Sequence, residues 1–212
     1  MSHDDFAVEP VPGLPERPPK GEQILWQGRP NWWVLTCESL NLYWVIGYFV
    51  ALFAWRFITL IDRVPVDTAF SASFPFIILG AAAAVLLMII GYVQARATMY
   101  TITNRRVAMR IGAALTVTLN LPFTRIARAD FDLRRRGTGT IAFDLLGDTR
   151  LSYLVCWPHV RPWKMRKTQP ALRCIPDAHR IAQIMSEAAE AQINTPKLAR
   201  GPAPIAAPVA AE

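Results

Sequence analysis

The stretch Phe74–Val93, FPFIILGAAAAVLLMIIGYV, decides how the rest of the chain is read, and it contains no charged residue. A hydrocarbon core about 30 Å thick needs about 20 apolar residues of helix, and this run fills that length. It is too long, and too far from the N-terminus, to be the apolar part of a signal peptide. The competing reading is a buried core helix of a soluble protein, which the length disfavours. Membrane insertion is therefore the expectation, and the other segments are placed relative to it.

A second apolar run, Leu42–Ile61, precedes it and is broken only by Arg56. Tyr43, Trp44, Tyr48 and Trp55 supply aromatics suited to the headgroup level. Arg56 lies near the end of the run, where its long stem can carry the guanidinium to the interface; the alternative is a buried charge paired with a partner helix. The joining residues Asp62–Ser73 carry Arg63 as their one basic side chain, whereas Arg96, Arg105, Arg106 and Arg110 follow Val93. Retention of positive charge predicts a two-helix transmembrane hairpin over residues 40–93, with both termini cytoplasmic. Gly80 and Ala81–Ala84 give the second helix a small-residue face for close approach by the first helix, a second copy or another membrane protein.

The net charge of +7 is unevenly spread. Before Leu40 three basic residues stand against six acidic ones; from Gln94 to Glu190 sixteen stand against seven. A basic domain beside a membrane helix fits the cytoplasmic face and its anionic lipid. Nucleic-acid binding is the other reading of basicity, and no recognition motif supports it. Cys37, Cys156 and Cys174 are odd in number and lack metal-ligand spacing, so they read as reduced thiols.

Residues 1–39 form a Pro-rich leader and an interfacial segment. Prolines at 10, 12, 15, 18 and 19 predict an extended stretch over residues 1–22, open to a partner, with no basic n-region of a secretory signal. Ile24–Trp26 and Trp32-Trp33 read either as an interfacial anchor or as a strand packed on the later domain.

Residues 97–191 read as a mainly-β domain. Apolar runs at Met99–Thr103, Val107–Ile111, Leu115–Phe123, Arg125–Leu133, Thr140–Leu146 and Arg150–Trp157 alternate with turn signals, which predicts about six strands in a small antiparallel sandwich or barrel. Arg161–Cys174 is expected to be a loop. Asp177 can cap a closing helix, on which Ile181, Ile184, Met185 and Ala188 share one face. Residues 192–212 read as a disordered Pro/Ala tail.

Catalytic signatures are missing. There is no phosphate loop, nucleophile elbow or paired metal ligand, and neither apolar run holds a histidine that could ligate a chlorin or haem. The expectation is a non-enzyme without catalytic residues, metal or cofactor. His159 and His179, beside Pro and a helix start, read as surface groups. Two interaction surfaces stand out. Trp157, Pro158, His159, Arg161, Pro162 and Trp163 make a stiff amphipathic loop suited to a partner surface, or else a plug for the open end of the sandwich. Arg134, Arg135 and Arg136 before the Gly137 turn are a candidate anionic-lipid contact, or else a solvated turn.

YTITNRRVAMRIG at Tyr100–Gly112, RGTGTIAF at Arg136–Phe143 and GEQILWQGRP at Gly21–Pro30 resemble the bacterial membrane-anchored pleckstrin-homology-like domains. FAVEPVPGLPE at Phe6–Glu16, ILWQGRPNW at Ile24–Trp32, NRRVAMRIGAAL at Asn104–Leu115, LPFTRI at Leu121–Ile126, WPHVRPWK at Trp157–Lys164 and LRCIPDA at Leu172–Ala178 resemble a family of purple-bacterial assembly proteins. These serve the photosynthetic reaction centre and its core antenna, and WPHVRPW is the most specific piece. The resemblance implies a non-catalytic, chaperone-like assembly factor in the bacterial inner (photosynthetic, intracytoplasmic) membrane that contacts reaction-centre and core-antenna subunits transiently. Homo-oligomerisation is compatible with it. A membrane-anchored lipid- or protein-binding module and a permanent subunit of the complex are the alternatives. Stoichiometry in the mature complex and liposome binding by the domain separate these readings.

Overall fold

A computed structural model of the chain describes residues 9–113, 115–134, 137–147 and 151–194. Both apolar runs are helical. The first is α2, Leu42–Ile61, which follows a short helix α1, Trp32–Ser39. Asn31 starts α1 by accepting hydrogen bonds on its side chain from the backbone N–H groups of Trp33 and Val34. The joining segment is more ordered than a plain loop: Val66–Ser73 is helix α3, which runs through Phe74 into α4, Pro75–Ala97. Pro75 marks the boundary between α3 and α4, since it has no N–H to bond back to the preceding turn. α3 folds back on α2 through Phe70, which meets the Phe53 ring edge-on at 5.8 Å.

Two antiparallel sheets follow. Strands β1 (Ile24–Gly28), β2 (Met99–Thr103), β3 (Arg106–Ile111) and β4 (Val117–Pro122) form the first, in that order. Strands β5 (Ile126–Leu133), β6 (Gly139–Leu145) and β7 (Ala171–Ile175) form the second. Tyr100, Ile102, Val107, Met109 and Ile111 from one sheet meet Ile141, Phe143, Leu172 and Ile175 from the other. Each such side chain contributes about 1.5–3 kcal/mol on full burial. The closing helix, α6, Ala178–Asn194, adds Ile181 and Met185 to this core. It lies so close to β6 that a Cβ at Gly139 would meet Ala178 Cβ at 2.6 Å.

Three expectations change. Arg150–Trp157 is not a strand: residues 148–150 lie outside the described residues, and Tyr153–Cys156 is a one-turn helix, α5, with Cys156 facing the core. A short apolar run does not distinguish strand from helix by periodicity. Arg161–Cys174 is not all loop, since its end is β7, paired to β6 with Ile141 opposite Leu172. Nor is the leader an open segment over residues 9–22. Leu14 is buried, Glu9 pairs with Arg110 at 2.7 Å, and Glu22 pairs with Arg106 at 2.8 Å. Asn104 holds the same stretch by accepting from Gln23 N–H and donating to Gly21 O, each at 3.0 Å. Residues 1–8, and 195–212 of the expected tail, lie outside the described residues.

β1 precedes the helices and β2 follows them, yet the two strands pair, with Gly28 opposite Tyr100. The helical hairpin is thus an insertion within the β domain. α1 ties the two parts together. Leu35 packs with Ala95 of α4 and Cys174 of β7, and Asn31 N–H donates to Cys174 O at 2.8 Å. Gly91 of α4 lets Thr36 come into direct contact with its backbone.

Candidate functional site

The loop after α5 divides into an inward and an outward half. His159 N–H donates to Cys156 O, Ala171 N–H donates to His159 O and Arg161 N–H donates to Gln169 O, so the two ends of residues 157–170 are stitched together. This folds the His159 ring fully into the interior, which corrects its reading as a surface group. Thr98 Oγ1 donates to Gln94 O at 2.8 Å, so its oxygen accepts from His159 Nε2 at 2.9 Å. His159 Nδ1 then accepts from the Tyr100 hydroxyl at 2.6 Å, and the Tyr100 oxygen accepts from Arg173 N–H at 3.3 Å. That chain is satisfied by a neutral imidazole. Burial, with the Arg173 charge nearby, lowers the His159 pKa to about 3, and burial keeps the Tyr100 phenol protonated.

The outward half is the part open to a partner. Trp163 is 89% exposed with a left-handed backbone, and Lys164, Met165, Arg166 and Lys167 are exposed beside it. Trp157 is 40% exposed, and its peptide bond to Pro158 is cis. Trp163 is therefore no plug, while Pro158 and His159 are buried.

Arg134 closes the β5–β6 hairpin, donating its N–H to Thr138 O at 2.7 Å. Its guanidinium lies 3.1 Å from Asp132 and 3.9 Å from Glu38 of α1. The remaining members of the basic tip, Arg135 and Arg136, lie outside the described residues. The second sheet is two-faced. Phe131, Ile141 and Phe143 flank an apolar groove beside Ala182, Met185 and Ala189 of α6. On its other face Asp130, Asp132, Arg134, Arg161, Pro162 and Arg173 enclose a cavity of about 230 Å³. Arg161 and Pro162 of the Trp/Pro loop and Arg134 of the basic tip, separate in the sequence, thus meet in one place. Asp130 bonds to Arg161 and pairs with Arg128, and the Arg161 bond is the main cause of its lowered pKa. Arg173 was not singled out in the sequence; its signal was a lone charge inside an otherwise apolar strand, ALRCI.

Cys37, Cys156 and Cys174 are free thiols, and burial raises Cys174 to about 12, far from a reactive thiolate. Among the described residues no three His, Cys, Asp or Glu side chains gather as metal ligands would.

The bacterial PH domain family model matches residues 43–189, and the chain belongs to that family. Over 214 residues, spanning the whole of both chains, it is 44% identical to a Rhodobacter capsulatus protein named "Uncharacterized 23.7 kDa protein in puhA 5'region". No solved structure matches the chain.

Proposed function

We propose that the chain is a non-catalytic, membrane-anchored assembly factor for the photosynthetic reaction centre and its core light-harvesting complex. The full-length likeness to a protein named for the puhA 5′ region carries this reading, and the resemblance at Trp157–Lys164 supports it. α2 and the α3–α4 unit are long and apolar enough to span a bilayer, with 0% and 11% of their most apolar windows buried. Trp44, Trp55, Ile58, Ile78 and Leu86 lie open on them. A soluble monomer rarely leaves so large an apolar surface bare, so lipid or other transmembrane helices are its natural cover. In this reading both termini are cytoplasmic, the helices shield unpaired subunit helices, and the exposed Trp163 tip contacts subunits on the cytoplasmic side. Contacts are transient and the protein holds no pigment of its own.

The test is complementation of a deletion strain. The wild-type chain should restore reaction-centre and core-antenna absorbance while being absent from the purified mature complex. Trp163→Ala should accumulate normally, with stability within about 0.5 kcal/mol, yet restore less absorbance. Stoichiometric presence in the mature complex would favour a permanent subunit. Full restoration by Trp163→Ala would move the contact to the helices.

A further inference from the structure

Arg173 is only 5% exposed, and among the described residues its guanidinium joins no ion pair. Its Nη1 donates a long hydrogen bond of 3.4 Å to Pro158 O, and its buried Nε has no hydrogen-bond partner. A buried arginine without a counter-ion is costly, since removal from water is repaid only by a close opposite charge and satisfied N–H groups. The cavity it lines carries two further guanidiniums, Arg134 and Arg161, and the hydroxyl-bearing Thr140. Asp130 and Asp132 stand on the same wall, but they are engaged with Arg161 and Arg134. They brace two of the three arginines and leave the positive charge of Arg173 unmatched. The volume of about 230 Å³ is several times that of one water.

The source of an anion is suggested by what lies beside the cavity. Arg134 also borders a second, open cavity with Trp33, Val34, Glu38 and Tyr43. Tyr43 is the second residue of α2, and Trp32 stacks edge-on against Tyr92 near the end of α4. Arg134 therefore stands at the end of both apolar helices nearest the β domain, at headgroup level if they span a bilayer. We propose that Arg134, Arg161 and Arg173 form a site for a phosphate-type oxyanion, supplied by the headgroup of an anionic lipid at that end of the helical hairpin. Guanidinium forks suit the several oxygens of a phosphate, which can serve more than one arginine at once. The lipid source rests on membrane insertion; the anion site itself does not.

Native mass spectrometry and thermal melting of the full chain in detergent test this, with phosphatidylglycerol, phosphatidylcholine or inorganic phosphate added. The wild-type chain should retain phosphatidylglycerol over phosphatidylcholine and melt higher with it. Arg173→Gln and Arg134→Gln should each weaken retention roughly tenfold, the scale of one charge-assisted hydrogen bond. Arg134 is half exposed, so its variant keeps the test decisive if Arg173→Gln fails to fold. Stabilisation by inorganic phosphate alone, lost in Arg134→Gln, would keep the anion site and reject the lipid source. No response to either anion, or equal retention by wild type and Arg134→Gln, would overturn the site.

Discussion

His159 has one hydrogen-bonding state that suits its surroundings: Nε2 donating to Thr98 and Nδ1 accepting from Tyr100. A second proton would force Nδ1 to donate to a hydroxyl whose own proton then has no acceptor there. The folded ring, with its pKa lowered to about 3, stays neutral while the unfolded ring charges at its ordinary value of about 6.5. The unfolded state therefore binds more protons between these values, and stability falls as pH drops from about 6.5 towards 3, by up to about 1.4 kcal/mol per unit. Melting of the full chain from pH 7 to pH 4.5 should show this slope, and His159→Gln should flatten it. An unchanged slope in the variant would place the titration elsewhere. The sequence did not expose this role, because the ring's partners sit 59 and 61 residues away.

Elements were legible where the chain states its own period or length. α2 ends where the apolar run ends, β2, β4 and β5 lie within their alternating runs, and β3 and β6 each begin one residue before theirs, at Arg106 and Gly139. β7 was hidden because a buried arginine sits inside a Pro-rich, basic stretch; of the two readings of Ile24–Trp26 the strand holds, and the sequence left the choice open because its edge comes from residues more than 70 positions later. The small-residue face of α4 has an identified neighbour at Gly80, where an added Cβ would lie 2.7 Å from Phe49 Cβ of α2. Gly80→Leu should therefore overpack the hairpin and cost about 1–3 kcal/mol. Adding Phe49→Ala should recover much of that loss, as coupled neighbours do. Additive losses in the double variant, read by thermal melting, would show that the two positions do not share one contact.

On the scale of the whole molecule, pairing of β1 with β2 bears on one part of what the arginine distribution suggests, that the two ends of the hairpin share a side. Both ends of the helical hairpin return to one folded domain, so both must lie on the same side of any membrane it crosses. Reporters fused before Gly21 and after Ala191 should give the same compartment, and one placed in residues 62–65 the opposite one. Agreement of all three would mean that the helices do not cross. The same pairing sets a timetable for synthesis. Once Ile24–Gly28 has been made, about 75 more residues must follow before Met99–Thr103 is complete, roughly 4–15 s at ordinary elongation rates. For that interval the first strand waits with its backbone edge unpaired and Trp26 apart from the core it later packs against, and the sheet can close only after both helices have left the ribosome.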